Sequence, residues 1–255
     1  MAETIVLISR KGGSGKTTTT QIMSAGFTSK GSKVLCIDLD GQASLTHIMG
    51  ADTTGESIID VFINKVNITS AIQHTQAGDI IAANTGLDLA DMRLTGRGRE
   101  LLLKQALESV KRDYDLILLD TVGAFGVLTL NALAVANGVI LPAQADILSL
   151  NALKDSYDLI QSARENINAG LKIYGVLLTR FNARANISKD LLAMFEQVAQ
   201  VMNTRVFNSK IRESVAVKEA QAMQTDLLKY KPKNNAAQDY SEFIDELDGI
   251  IKAKE

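Results

Sequence analysis

The sequence contains little cysteine, little proline and no long hydrophobic run. Cys36 is the only cysteine in 255 residues, so an intrachain disulfide is excluded and a buried thiol in a reducing compartment is expected. The chain has only two prolines and 22% charged residues, which is typical of a folded protein. No apolar run approaches the roughly 18 residues of a membrane span, and no signal peptide precedes the first apolar run. We therefore expect a cytoplasmic protein.

The most informative stretch is a glycine-rich loop at residues 11–18, with the sequence Lys-Gly-Gly-Ser-Gly-Lys-Thr-Thr. It follows the apolar run 5–8 and opens a helix-periodic segment that reaches Phe27. Its three glycines lack a Cβ atom, so the backbone can approach an anion closely. Lys16 and Thr17 add a positive charge and a hydroxyl at a helix N-terminus, where phosphate and Mg²⁺ bind. A nucleoside triphosphate site is predicted.

This loop departs from the ordinary phosphate-loop pattern at one position. The pattern has a glycine five residues before Gly15, whereas this chain has Arg10, followed by an additional lysine, Lys11. Gly-Ser-Gly-Lys-Thr also occurs by chance in flexible loops. The strand before it and the helix after it favour the phosphate site.

Acidic side chains follow two further predicted strands. Residues 33–38 lead to Asp38 and Asp40, and residues 115–120 end at Asp120. Ligands of open α/β sheets bind at the carboxyl ends of the strands. Carboxylates there would repel a nucleotide unless Mg²⁺ or a positioned water intervened, so they indicate hydrolysis chemistry. The alternative for Asp120 is a strand-terminating residue that caps the next turn.

The remaining pattern alternates strands with long helices, which predicts βαβ units. We expect an α/β phosphate-loop NTPase fold with a mostly parallel, twisted sheet, helices on both faces, and one domain over residues 1–255, although the length alone also permits two domains. The further predicted strands are 79–83, 139–142, 173–179 and 205–207. The predicted helices are 17–29, two short helices at 58–62 and 68–72, 99–112, 128–133, 148–167, 188–201 and 236–251.

Charge is distributed unevenly along the chain. Residues 176–235 hold 10 Lys and Arg against 5 Asp and Glu, whereas the rest of the chain is acidic. Such asymmetry can create a polyanion-binding face on an acidic protein, or a solvated face without a partner. The predicted last helix has acidic residues opposite its apolar stripe, which is the wrong sign for an anionic membrane surface.

These stretches together resemble the ParA/MinD family of ATPases with their deviant, lysine-first phosphate loop. Residues 11–18 match that loop, Asp38, Asp40 and Gln42 match the first switch, and Asp120 matches the second metal-binding strand. No helix-turn-helix domain precedes residue 4, so we expect the short form of the family. The other matching positions are Gly126, Leu128, Thr129, Asn131, Ala132, Leu133, Pro142, Gln144, residues 175–179, Ala183, Arg184, Glu219, Ala220, Tyr230 and Pro232.

The resemblance implies roles for these residues, with ATP and Mg²⁺ as cofactors. Lys16 would hold the β and γ phosphates, Thr17, Asp40 and Asp120 would serve the metal, and Asp40 would orient the attacking water. Lys11 would reach the nucleotide of a second subunit in an ATP-dependent homodimer. The rest of the nucleotide site would comprise Gly12, at the dimer interface, with Gly13, Ser14, Gly15, Thr18, Thr179 and Arg180, the last two beside the base.

The resemblance also implies non-specific DNA binding. Arg184 matches a DNA-contacting arginine of the family, whereas a second family arginine corresponds to Ala216. The candidates to replace it are Lys210, Arg212, Lys218 and the lysines at positions 229, 231 and 233, because non-specific binding needs only positive charge near phosphates. They are equally compatible with ordinary solvated side chains.

Two departures from the family concern the switches. Gly41 stands where the family usually has proline, and residues 121–123 read Thr-Val-Gly where two prolines usually follow one residue after the acid. Because proline restricts the backbone and glycine frees it, we expect both switches to be more flexible before ligand binds.

The leading interpretation is a nucleoid-associated DNA-segregation ATPase, whose hydrolysis is slow and stimulated by a ParB-like centromere-binding adaptor. One alternative is a MinD-like or cargo-positioning ATPase that acts on a membrane or a protein cargo. Another is a biosynthetic enzyme of the same fold with a small-molecule acceptor. Iron–sulfur reductases are excluded, because a cluster needs more thiolates than Cys36 supplies.

Overall fold

The computed structural model describes residues 2–182 and 186–253 and contains one seven-stranded sheet. The strands are β1 (Glu3–Leu7), β2 (Val34–Leu39), β3 (Ile72–Thr75), β4 (Gly78–Ile81), β5 (Leu116–Thr121), β6 (Gly138–Gln144) and β7 (Lys172–Thr179). Their order is β3-β4-β2-β5-β1-β6-β7. All neighbouring strands are parallel except β3, which pairs antiparallel with β4 at one edge. The predicted mostly parallel α/β fold is confirmed.

Helices cover both faces of this sheet. On β1, Ile5 and Leu7 join one apolar cluster, whereas Val6 and the residue after the strand, Ile8, join the other, because successive side chains of a strand point to opposite faces. The helices are α1 (Lys16–Ser29), α2 (Ser44–Ile48), α3 (Ile58–Ile63), α4 (Ala90–Arg93), α5 (Leu102–Leu107), α6 (Val127–Val135), α7 (Ile147–Asn166), α8 (Asn186–Val201), α9 (Val215–Ala222), α10 (Leu227–Tyr230) and α11 (Asn235–Lys252).

The centre of the sheet brings the phosphate loop and the acidic strand ends together. β5 lies between β1 and β2, so that Asp120 is in register with Leu7 on one side and Asp38 on the other. The loop after β1 and both acidic segments therefore leave the same edge of the sheet.

Three sequence predictions were wrong in detail. Residues 68–72 were predicted to be helical, but they form a short 3₁₀ turn, Ile68–Ala71, that leads directly into β3. Residues 99–112 form one 3₁₀ turn and the six-residue α5, and residues 205–207 provide only a single bridge, between Val206 and Val176. The segments 68–72 and 205–207 are too short for periodicity to distinguish the types of element, whereas in 99–112 the helical pattern runs beyond the end of α5 at Leu107.

The acidic helix α11 lies with its apolar side against the core. Tyr240, Phe243, Ile244 and Leu247 are at most 2% exposed, and Phe243 packs edge-on against Phe207 with ring centroids 4.9 Å apart. Within the described part of the chain, no helix combines the length and apolarity of a membrane span.

Gly138, at the start of β6, has no space for a side chain. A Cβ atom there would overlap the ring of Tyr174 on the neighbouring strand. We expect Gly138→Ala to lower the free energy of unfolding by about 1–3 kcal/mol, since overpacking forces side chains and backbone to shift. Urea unfolding measures the change.

The matched control is Gly249→Ala in α11, where a Cβ would meet nothing within 4 Å. Alanine favours the helix there by roughly 0.5–1 kcal/mol, so the two glycine substitutions should shift the unfolding midpoint in opposite directions. Equal midpoints would contradict the packing around Gly138.

Candidate nucleotide-binding site

The glycine-rich loop connects β1 to α1 in a conformation that needs glycine at two positions. Gly13 has a φ of +73° and Gly15, immediately before α1, has a φ of +97°, a left-handed region that other residues rarely adopt. A Cβ on Gly15 would also lie 3.3 Å from Cγ2 of Thr179. Gly12 differs, because its φ is not positive and a Cβ there would meet none of the described residues within 4 Å.

Side chains from two neighbouring strands hold this loop in place. Nε2 of Gln144 donates to the carbonyl oxygen of Gly13 at 2.8 Å. Oγ1 of Thr179 donates to the carbonyl oxygen of Ser14 at 2.7 Å. Since these contacts come from the ends of β6 and β7, the sheet itself fixes the shape of the loop.

Lys16 extends back along the loop, where its Nζ donates to the carbonyl oxygen of Ser9 at 3.1 Å. Burial lowers the pKa of Lys16, while the negative charges of Asp120 and Asp40 oppose that shift. A bound phosphate would provide the same kind of opposition at closer range. An anion bound at the loop would therefore favour the charged form of Lys16.

Thr17 and Asp120 form the first oxygen pair of the site. Oγ1 of Thr17 donates to Oδ2 of Asp120 at 2.6 Å. The Asp120 side chain is fully buried, and Oδ1 has no hydrogen-bond partner among the described residues. Burial and the nearby Asp38 raise the pKa of Asp120.

This donor set suits Mg²⁺, which prefers oxygen ligands and is held by one or two carboxylates together with waters and substrate phosphates. The unpartnered Oδ1 of Asp120 is what a cation or its water would satisfy, because a buried polar atom without a partner is costly. Thr17 and Asp120 are therefore the residues that would hold the metal.

Asp38 and Asp40 occupy different environments although they are two residues apart. Asp38 is buried and accepts hydrogen bonds from N and Oγ1 of Thr46, at 2.9 and 2.8 Å, and from N of Asp40 at 3.1 Å. Burial raises the pKa of Asp38, and these hydrogen bonds oppose that shift. Asp40 is half-buried, and its Oδ1 accepts from N of Gln42 at 3.0 Å. Asp38 thus holds the segment after β2 in place, and Asp40 is the more accessible of the two carboxylates.

Lys11 does not point along the phosphate loop as Lys16 does. Its Nζ forms an ion pair with Asp146 and lies 3.4 Å from Oε1 of Gln144 and 3.3 Å from Oγ of Ser149. Asp146 also caps α7 by accepting from N of Ser149 at 2.8 Å. Sequence reasoning missed Asp146 and Ser149 as partners of Lys11, although an aspartate before a helical pattern is a recognisable capping signal.

The predicted base-binding residues line a cavity beside the loop. Thr179 and Arg180, which has a φ of +49°, border a cavity of about 130 Å³ together with Gly15 and Thr18. Gln221, which the sequence did not indicate, reaches the same cavity and donates from Nε2 to Oγ1 of Thr18 at 2.9 Å.

The predicted DNA-binding residues differ in whether their charged groups are bound to other residues of the chain. Arg212 is exposed, but its guanidinium group binds Asp239 through Nε and Nη2, at 2.9 and 2.6 Å. Lys218 is exposed on α9, and Nζ of Lys210 donates to the carbonyl oxygen of Asn208 at 3.0 Å. Arg184 lies outside the described residues.

A parallel sheet with a glycine loop before α1, and with Thr17 and Asp120 paired at its carboxyl edge, defines a phosphate-loop nucleotide-binding protein. A family model described as an AAA domain matches residues 2–173. The chain belongs to the ParA/MinD family of ATPases.

Individual relatives match nearly the whole chain. The sporulation initiation inhibitor protein Soj of Bacillus subtilis is 30% identical over 252 residues, covering 97% of this chain and 98% of the relative. The chromosome-partitioning ATPase Soj of Treponema pallidum is 30% identical over 250 residues, covering 97% of each. A crystal structure of cobyrinic acid a,c-diamide synthase from Mycobacterium smegmatis with ADP and magnesium superposes with a TM-score of 0.86 at 30% identity, covering 100% of this chain and 97% of that one.

Proposed function

We propose that this protein is a DNA-segregation ATPase that uses ATP and Mg²⁺, binds DNA without sequence preference as an ATP-bound homodimer, and leaves DNA after hydrolysis. One observation carries the proposal. The chain supplies Lys16 for the phosphates and Thr17 with Asp120 for the metal, and Lys11 remains as an additional cation in contact with Asp146. This second lysine has a role if Lys11 of one subunit contacts the nucleotide that is bound by the other subunit.

Two further features support the binding of a second subunit at the carboxyl edge of the sheet. Ile147 and Leu148, directly after the Lys11 partner Asp146, are 55% and 68% exposed, and apolar side chains of this kind favour burial in an interface. Among the described residues, neither backbone conformation nor packing requires Gly12 to lack a Cβ. Close approach by another subunit would provide that reason.

The nucleotide chemistry follows from the arrangement of the site. Lys16 would bind the β and γ phosphates, and Thr17 and Asp120 would hold Mg²⁺. Bound Mg²⁺ would neutralise charge on the transferred phosphoryl group. Asp40 would orient the attacking water at the carboxyl end of β2, while Thr179 and Arg180 would border the base.

The DNA-binding face is proposed for the basic stretch of residues 176–235. Lys218 and Lys210 carry the proposal among the described residues, and Arg184 remains a candidate from the sequence alone. Arg212 contributes less positive field than the sequence suggested, because Asp239 is its bidentate partner. A centromere-binding adaptor of the ParB kind would stimulate hydrolysis, and the protein would reside on the nucleoid in the cytoplasm.

Retention on DNA should require ATP and should weaken with salt. We expect binding to non-specific duplex DNA with ATP but not with ADP, and a log–log salt slope of about −0.9 for each phosphate contacted. Lys218→Ala should weaken binding and reduce the slope, whereas Lys104→Ala, at an exposed position on α5 outside the basic stretch, should change neither. Equal retention on DNA with ATP and with ADP would contradict the proposal that ATP controls DNA binding.

The same preparation distinguishes the other two interpretations. A membrane-positioning ATPase would sediment with anionic vesicles in the presence of ATP. The apolar side of α11 is buried on the core, so it is not exposed to bind a membrane. A biosynthetic enzyme would need a small-molecule acceptor before it turned over ATP, whereas the proposed ATPase hydrolyses ATP without one.

A further inference from the structure

The segment between β4 and α5 contacts the two segments that follow β2 and β5. We call residues 84–94, which comprise the 3₁₀ turn Thr85–Leu89 and α4, the bridging turn. Its apolar residues Leu87, Ala90 and Leu94 are at most 4% exposed, so they anchor it to the core. The acidic side chains of Asp88 and Asp91 lie on the other side of this turn.

Asp91 holds the segment that follows β5. Its Oδ1 accepts a hydrogen bond from N of Val127, the first residue of α6, at 2.7 Å. A Cβ on the preceding residue, Gly126, would lie only 3.0 Å from Cγ of Asp91. The residue before α6 is glycine and provides no side-chain cap, so a carboxylate from another segment satisfies this helix N-terminus.

Asp88 lies against the segment that follows β2, where it occupies the space next to Gly41. A Cβ on Gly41 would lie 2.9 Å from Cγ of Asp88 and 3.2 Å from its backbone nitrogen. Gly41 is buried and directly follows Asp40. A side chain at Gly41 or Gly126 would therefore have to displace an aspartate of the bridging turn, and the backbone of that turn is anchored through Leu87, Ala90 and Leu94.

We propose that the bridging turn positions both nucleotide switches together, with Asp91 fixing Gly126 and Val127 of the second switch and Asp88 fixing Gly41 of the first. The inference rests on the proposed ATPase function. Asp88 and Asp91 are positioning residues, because they act through the backbone of other residues. The turn connects the second switch, which would sense the γ phosphate, to the first switch, which carries Asp40. A change at the γ phosphate would therefore alter both switches together, and both would differ between the ATP-bound and ADP-bound states.

The decisive measurement is discrimination between AMPPNP and ADP. Asp91→Ala removes the acceptor for N of Val127, so we expect about tenfold weaker binding of AMPPNP, since a hydrogen bond to a charged group contributes enough for that factor. ADP affinity should not change, because ADP lacks the γ phosphate. Asp91→Asn keeps an acceptor oxygen and should restore most of the AMPPNP affinity.

Asp226→Ala is the matched control. Asp226 caps α10 by accepting from N of Leu228 at 2.8 Å, and α10 packs on α1, α9 and α11. This variant should leave the ratio of AMPPNP to ADP affinity unchanged. If Asp91→Ala weakened both nucleotides equally, or neither, the bridging turn would be only structural. If the wild type did not prefer AMPPNP with Mg²⁺ over ADP, the proposed ATPase switch itself would fail.

A double-mutant cycle tests the Asp88 contact independently. Gly41→Ala should weaken AMPPNP binding by displacing Asp88, and the same substitution in an Asp88→Ala background should cost less, because the overlapping carboxyl group is gone. Additive effects of the two substitutions would overturn the link between Asp88 and the first switch.

Discussion

Asp40→Ala is expected to bind ATP and to dimerise with it, yet to hydrolyse it at least about 10²-fold more slowly, the lower end of what a positioned acid–base group contributes. Asp40 is the half-buried acid at the carboxyl end of β2, and the Thr17–Asp120 pair does not depend on its side chain. Phosphate release with and without DNA measures the rate. Retention on DNA should persist after ATP is added.

Two variants separate the role of the Asp40 charge from that of its turn. In Asp40→Asn the amide oxygen can still accept from N of Gln42, so the loop shape survives while the charge is lost, and hydrolysis should remain slow. Asp52→Ala removes the same kind of turn elsewhere, since Oδ1 of Asp52 accepts from N of Thr54 at 2.8 Å, and should hydrolyse ATP normally. Normal hydrolysis by Asp40→Asn would contradict a role for the carboxylate.

The sequence predicted those parts of the candidate site whose residues lie together in a single loop or at the end of a single strand. Residues 11–18 combine glycines, a lysine and a hydroxyl in one run, and Asp120 ends a continuous apolar strand. Parallel pairing of β1, β5 and β2 then brings these ends to one edge. The alternation of strands with long helices predicted a mostly parallel sheet, but the position of β5 between β1 and β2 is known only from the fold.

Partners that depend on tertiary contacts could not be predicted in the same way. Asp146 is 135 residues from Lys11, and Asp91 is 36 residues from Val127. Each belongs to a short acidic or polar pattern that is common on surfaces. Only the folded chain shows which backbone or charged group each one contacts.

Gly41 illustrates how the structure changes an interpretation of the sequence. Its replacement of proline suggested a more flexible first switch, on the ground of backbone freedom. In the fold Gly41 is buried, and the space of its missing side chain is occupied by Asp88. Packing against the bridging turn therefore gives a reason for glycine at this position that backbone freedom does not.

Lys11→Ala is expected to remove ATP-dependent dimerisation and DNA retention while leaving the stability of the single chain nearly unchanged. The ion pair that Lys11 makes with Asp146 is partly exposed, with side chains 23% and 38% accessible, and such pairs contribute only about 0–1 kcal/mol. Its loss should therefore hardly affect unfolding. Sedimentation with AMPPNP measures the dimer, and duplex-DNA retention measures the output.

Arg10→Ala is the matched control, because it removes a positive charge from the adjacent position. Arg10 is paired with Asp155 at 2.9 Å and its side chain is 60% exposed. If net charge at this edge governed association, both alanine variants would fail to dimerise. If Lys11 acts on the nucleotide of a second subunit, Arg10→Ala forms the dimer and Lys11→Ala does not. An AMPPNP-dependent dimer of Lys11→Ala would show that the additional lysine belongs to its own chain.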